Sequence, residues 1–346
     1  MRAKRTLPSL ALAMSLMVSG GIVASAADDP DPSVPTGPAV INGIGSELHP
    51  EGIIWDPTRN AFLVGSLRKG TVSVVGRDGV ARPLVTDKRL IATGGIRVDP
   101  GRNRLYVTYD DVYAGPDALL SEGSSPQTRG RHAGLGIYNL RTGRPIKIVD
   151  LGAAPGWHLS NDMALTPDGN VYVTDSFSDT IFRVDKAGNA SVFIKDPAFQ
   201  APIEDNLPNV GLNGMVYDPR GFLLTVRYDT GALFRIPLDR PQDFTEVRLD
   251  EPLVGADGIQ WLPDGNLVAA TNTIRSNGID GVFVVRGADE WHEGHTVSKQ
   301  PWPEPAPTMT GVAPYGNYVM SSKLNILFGS GGKETVDGFV LRKLEY

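Results

Sequence analysis

Apolar positions in this chain fall in short runs of four or five residues separated by tight polar turns, and one run-turn-run pattern recurs six times. The first copy is Glu51-Gly52-Ile53-Ile54-Trp55-Asp56-Pro57 followed by Ala61 to Val64, and the second is Gly94-Gly95-Ile96-Arg97-Val98-Asp99-Pro100 followed by Leu105 to Tyr109. The third opens at Asn161-Asp162-Met163 and the fourth at Asn213-Gly214-Met215, leading to Val171–Thr174 and Phe222–Val226. The fifth, Asp257-Gly258-Ile259, leads to Leu267–Ala270, and the sixth, Thr310-Gly311-Val312-Ala313-Pro314, to Tyr318–Met320. In the first five copies proline stands five residues after the Gly or Asp that opens the strand, whereas the sixth reads as two residues shorter.

Each copy therefore predicts a short strand, a tight turn and a second strand, which is hairpin chemistry. A third alternating run follows in several copies, as at Thr71–Val75, Thr180–Val184, Ala232–Ile236 and Gly281–Val285. No segment carries a helical period. The copies recur about every 52 residues, the length of a four-stranded blade and too long for most solenoids. The expectation is an all-β fold, a six-bladed β-propeller with four-stranded antiparallel blades around a central tunnel, occupying residues 45–346.

Composition agrees and removes several chemistries. Forty glycines and 27 prolines suit a turn-rich fold, and 41% hydrophobic against 21% charged residues excludes intrinsic disorder. A net charge of −6 argues against nucleic acid as a partner. The chain has no cysteine, so thiol nucleophiles, disulfides and Cys-ligated metals are excluded.

At the start, Arg2, Lys4 and Arg5 precede an apolar stretch from Leu7 to Val23, and Ala24-Ser25-Ala26 has the small-x-small form of a cleavage site. Residues 1–26 read as a cleaved signal peptide and 27–44 as a linker and first strand, giving a secreted or periplasmic product. Cleavage would take the net charge to −9. No later segment reads as a membrane span.

In a propeller the innermost strand of each blade runs beside the axis, so the residues that begin these strands form a ring at one tunnel mouth. In blade order they read Glu51, Gly94, Asn161, Asn213, Asp257 and Thr310. Glu51, Asn161, Asn213 and Asp257 supply two carboxylates and two amide carbonyls, the oxygen donors that Ca²⁺ prefers; another divalent cation would accept the same set. Glycine in blade 2 and a small hydroxyl in blade 6 leave room for water or a substrate oxygen.

With this ring the sequence resembles the senescence marker protein/gluconolactonase-like family of six-bladed propeller hydrolases. Glu51-Gly52-Ile53-Ile54-Trp55-Asp56 is similar to that family's opening motif, and Ser160-Asn161-Asp162-Met163 and Asp257-Gly258-Ile259 to its metal-binding strand starts. The order Glu, Asn, Asn, Asp is also similar to the set holding the catalytic calcium in diisopropyl fluorophosphatase and the paraoxonases. Two positions depart from these patterns. Gly94 stands where gluconolactonase-like members often place a polar substrate-binding residue, and Gly258 where paraoxonases have a further Asn ligand. The resemblance implies a calcium-dependent hydrolase acting on a small-molecule lactone or ester, with Asp257 as nucleophile or general base and Glu51 as a ligand only.

His158 and Asp162, flanking Asn161, are candidates to orient a ligand or move a proton, and His49 precedes Glu51 by two residues. The long loop within 110–135 is a candidate cover for the tunnel mouth. Residues 196–209, with Phe199, Ile203 and Leu207, are a candidate substrate wall. His292-Glu293-Gly294-His295 is one residue short of a zinc-binding His-Glu-x-x-His helix, and no Gly-x-Ser-x-Gly, P-loop or EF-hand pattern occurs. Two other readings stay open: a propeller that binds a ligand or protein without catalysis, and a strictosidine-synthase-like relative with changed chemistry.

Overall fold

The structure, a computed structural model, describes residues 36–346. The segment read as a signal peptide lies outside these residues. Six antiparallel sheets follow one another along the chain, and the innermost strand of each packs on those of its two neighbours, closing a ring. Blade 1 comprises Ile53–Asp56, Ala61–Gly65, Val72–Val75 and Ala81–Val85. Blades 2, 3 and 4 begin at Ala92–Asp99, Ser160–Leu165 and Leu212–Asp218, and each adds three further strands outward. Blade 5 begins at Ala256–Trp261 and carries an extra short strand, Arg248–Leu249, paired in parallel at its outer edge. The six-bladed, four-stranded architecture expected from the repeats is the one the chain adopts.

Blade 6 joins the two ends of the described chain. Pro307–Ala313, Gly316–Ser321 and Gly338–Lys343 supply three strands, and Val40–Ile44 adds the fourth, antiparallel in the register Val40 with Arg342 and Ile44 with Gly338. Ring closure thus rests on backbone hydrogen bonds between segments nearly 300 residues apart, which leaves no open sheet edge between first and last blade.

The repeated turns hold because their aspartates cap them. Asp56 accepts from Thr58 N and Asp218 from Arg220 N, both at 2.9 Å and both Asx-type turns, and Asp99 accepts from Arg102 N, three residues on, at 2.9 Å. The core is divided among the blade interfaces. Phe62 of blade 1 meets Tyr318 of blade 6 edge to face at 5.6 Å, and Leu63 packs in one cluster with Leu105 and Tyr138 of blade 2. A further cluster, including Leu67, Val112, Leu159, Val210, Leu324 and Leu327, belongs to the loops over one mouth of the tunnel rather than to any blade pair.

One element was not expected. The helix Leu324–Gly329 lies between the second and third strands of blade 6. At six residues it is too short to leave a periodic signal in the sequence.

Candidate functional site

The ring residues sit where the inner strands depart from regular pairing. In blade 3 the register with the next strand shifts between Ser160 and Met163, in blade 4 between Leu212 and Met215, and in blade 5 between Ala256 and Ile259. Asn161, Asn213 and Asp257 are the first residues of these irregularities. A bulge leaves a residue unpaired and re-aims its side chain, which is why such features accumulate beside functional sites. Blade 2 shifts likewise between Thr93 and Ile96, around Gly94.

The same geometry corrects the reading of blade 6. Its shift falls between Pro307 and Met309, which puts Thr308 at the ring position in place of Thr310. A Cβ on Gly214 would lie 2.6 Å from the Asp257 carbonyl, and one on Gly258 would lie 2.8 Å from the Thr308 carbonyl, so Thr308 follows Asp257 around the ring. Threonine hydroxyls lock the ring backbones between blades: Thr108 donates to the Asn161 carbonyl at 2.6 Å, Thr174 to that of Asn213 at 2.9 Å and Thr308 to that of Glu51 at 2.8 Å.

Glu51, Asn161, Asn213 and Asp257 all line one cavity, together with Thr93, Gly94, Asp110, Asn272 and Arg275. Its upper walls are apolar: Leu67, Val112, Leu159, Val210 and Ile274 from the loops, and Leu324 and Phe328 from the short helix. The four sequence-predicted ligands are therefore brought together. Glu51 Oε2 and Asn161 Oδ1 are buried without any hydrogen-bond partner, which for a carboxylate and an amide oxygen is expensive unless something else binds them. Among the described residues no three His, Cys, Asp or Glu side chains group as a metal site. The ring reaches four oxygen donors because two of them are amides, and hard oxygen donors of this kind fit Ca²⁺.

Electrostatics point the same way. Burial, reinforced by the charges of Asp257, Asp162 and Asp110, raises the Glu51 pKa well above the usual carboxylate range. Asp257 is pushed up to about 7, mainly by burial, against hydrogen bonds from Asn272 and Asn213 that favour its charged form. Asp110 is likewise raised by burial and by neighbouring Asp111. A cation would relieve this crowding of buried acids.

The remaining candidates have other settings. Asp162 does not line the cavity: Oδ2 accepts from Arg97 Nη2 and from Met215 N, both at 3.0 Å, tying blades 2, 3 and 4 together beside the ring, while Oδ1 is buried and unpartnered. His158 does not line it either. Its Nδ1 lies 2.6 Å from Asp175 Oδ2 and its Nε2 2.9 Å from the Ala154 carbonyl, so both ring nitrogens are engaged. His49 is buried between the Ser322 carbonyl and the Val336 amide, which donates to its Nε2. Phe199 belongs to the core between blades 3 and 4 and Ile203 is exposed, so the 196–209 segment supplies no cavity wall; Val210 just beyond it does.

From the long loop after blade 2's second strand, Val112 reaches the cavity. The loop is tied down by Asp111, whose carboxylate accepts from Ser124 Oγ at 2.5 Å and Thr128 Oγ1 at 2.6 Å. Asp110, Asn272, Tyr228 and Arg275 were not singled out in the sequence. Asp110 ends a second strand and Tyr228 and Asn272 directly follow one, positions that carried no residue-type regularity from copy to copy, while Arg275 is in the loop beyond blade 5's second strand.

No protein-family model matches the chain, and no curated protein matches its sequence. In fold it is similar to a calcium-binding protein, regucalcin, from Agrobacterium tumefaciens str. C58, at 15% identity and TM-score 0.56 over 87% of this chain and 93% of that one. It is similar to a gluconolactonase from Xanthomonas campestris, at 15% identity and TM-score 0.55 over 88% and 89%. Virginiamycin B lyase from Staphylococcus aureus aligns at 12% identity and TM-score 0.53 over 88% and 99%. Its structural neighbours thus include gluconolactonase, regucalcin and related six-bladed propeller proteins, and at these identities the likeness is one of fold.

Proposed function

We propose that this protein is an exported, calcium-dependent hydrolase of a small lactone or ester. The observation that carries the reading is the convergence of Glu51, Asn161, Asn213 and Asp257 on one cavity, with Glu51 Oε2 and Asn161 Oδ1 buried and unpartnered. These four residues would hold the ion. When bound, calcium supplies Lewis acidity toward a carbonyl oxygen.

The chain's own groups do the rest. Asp257, fixed through Oδ2 by Asn272, is the carboxylate assigned to attack or to take a proton from water. Asp162 holds its place through Arg97 and adds negative potential next to the ring. The apolar walls above the ring lower the local polarity, which strengthens charge interactions beneath them. Export rests on the basic, apolar and small-residue order of residues 2–26. No helix among the described residues is long and apolar enough to cross a membrane.

The test is metal analysis of the purified chain together with a chelator-sensitive screen on lactones, aryl esters and phosphotriesters. One equivalent of calcium and chelator-sensitive turnover of a lactone or ester are expected. Bound calcium without turnover of any of these would leave a ligand-binding propeller, and no metal at all would remove the reading.

A further inference from the structure

Beyond the ring, the cavity holds one acid with nothing to bind. Asp110 ends the second strand of blade 2, is 3% exposed, lines the cavity, and has Oδ1 buried without a hydrogen-bond partner. Its neighbour Asp111 is also buried but fully used in holding the loop by Ser124 and Thr128. The residues at the same register in blades 3, 4 and 5 are Ser176, Tyr228 and Asn272, and all are spent inside the protein. Ser176 donates to the Leu212 carbonyl, Tyr228 to Asn272, and Asn272 to Asp257. Gly94, in the inner strand of the same blade, adds no side chain to the cavity; a Cβ there would already stand 2.7 Å from the Asn161 carbonyl and 2.9 Å from Thr108 Oγ1.

The other polar groups around the cavity offer a ligand little. Thr93 donates to backbone carbonyls, and Arg275 directs Nη1 to the Tyr113 carbonyl and Nη2 to the Pro208 carbonyl. Above the ring the surface is Leu67, Val112, Leu159, Val210, Ile274 and Leu324. A sugar lactone would bring several hydroxyls against these side chains, and each hydroxyl stripped of water without a partner weakens binding.

We propose that Asp110 is a substrate-binding residue that accepts a hydrogen bond from a single hydroxyl, and that the substrate is a predominantly apolar lactone or ester bearing that hydroxyl, not a polyhydroxylated sugar lactone. This rests on the hydrolase reading for the words lactone and ester, but the recognition itself is independent of turnover. An unpaired acid held in an apolar cavity is an acceptor awaiting a donor, and the surrounding walls define what the rest of that molecule is made of.

The experiment measures binding and turnover separately on the calcium-loaded chain. By calorimetry, alkyl-substituted cyclopentanones with and without a ring hydroxyl serve as ligands that cannot be hydrolysed. The hydroxylated ligand should bind the unaltered protein roughly tenfold or more tightly than its partner. Asp110→Ala should erase that preference, and Asp110→Asn, which keeps an acceptor oxygen without the charge, should reduce it, while the plain ligand's affinity stays unchanged. D-Glucono-1,5-lactone should be turned over at least about tenfold less efficiently, in kcat/KM, than an alkyl γ-lactone. Equal loss for both cyclopentanones, a fall in calcium affinity in Asp110→Ala as large as that in Glu51→Gln, or preferred turnover of the sugar lactone would overturn the proposal. If no lactone or ester is turned over and the hydroxyl preference still vanishes with Asp110, the hydrolase reading falls and this one stands.

Discussion

Asn272 donates its side-chain amide to Asp257 Oδ2 at 2.7 Å, and so fixes the ring carboxylate from behind. The amide is itself fixed: it also donates to the Pro307 carbonyl at 3.1 Å, and the Tyr228 hydroxyl donates to its Oδ1 at 2.6 Å. Groups that orient metal ligands in this way commonly govern affinity by ten- to a hundredfold. Asn272→Ala is expected to weaken calcium binding by roughly tenfold or more, and Tyr228→Phe, which frees only the amide, by less. Calorimetric titration of the two variants checks the order; equal affinities in all three proteins would remove the positioning role.

The repeat made most of this architecture legible, and its one misreading has a simple cause. Blades 1 to 5 were recoverable because the aspartate-capped proline turns recur at constant spacing from the ring residue. In blade 6 Thr310-Gly311 imitates the ring-residue-glycine pair of blades 1, 4 and 5, but the proline rule applies there as well. Pro314 lies six residues after Thr308, as Pro263 does after Asp257, so counting back from the proline finds the position that pairing confirms. Asp110 and Asn272 were not legible because their blades share no residue type at that register. Their roles arise from which neighbour lies across the cavity, and a linear pattern does not contain that. His158 looked chemical beside Asn161, yet its partner Asp175 is on the adjacent strand and turns it away from the ring.

Asp257→Asn keeps the shape of the side chain and removes its charge. If Asp257 is the nucleophile or base, turnover at saturating calcium should fall by at least about a hundredfold, with the melting temperature of the calcium-free protein unchanged or raised, since a buried acid held above its ordinary pKa is removed. Turnover within a few fold of the unaltered enzyme would exclude that role.

Gly52 follows Glu51 and faces the next blade so closely that a Cβ would fall 2.2 Å from the Gly94 carbonyl. Backbone lies on both sides, so neither partner can turn aside. Gly52→Ala should destabilise the fold by about 3 kcal/mol or more and disturb Glu51 with it. A denaturant midpoint equal to the parent's would show that the blades do not approach as described.

His158 is held between Asp175 and the Ala154 carbonyl, and the Asp175 hydrogen bond raises its pKa above the ordinary histidine value. A raised histidine contributes stability that is fully present below its unfolded pKa of about 6.5 and is lost as pH rises through the folded value. The stability difference between the parent and His158→Asn should therefore be largest in mild acid and shrink on the alkaline side, with turnover retained throughout. A difference that grew with pH would contradict the pairing, and lost turnover at full stability would return His158 to the chemistry.

Calcium should matter to the fold as much as to any reaction. Burial raises the pKa values of Glu51, Asp110, Asp162 and Asp257 together. For a carboxylate raised on folding, the favourable contribution is present below its unfolded pKa near 4 and disappears as pH climbs through the folded one, which for Asp257 is about 7. The metal-free protein should thus be more stable near pH 5 than near pH 8, unlike the bound form, because the ion offsets the repulsion that ionisation creates. At free calcium a thousandfold above its dissociation constant, binding adds about 4 kcal/mol to stability. Chelation should lower the melting temperature clearly at pH 8 and much less at pH 5, in scans with and without excess calcium. A melting temperature indifferent to chelator at both values would mean that Glu51 and Asp257 share no cation, and the ring would have to be explained by folding alone.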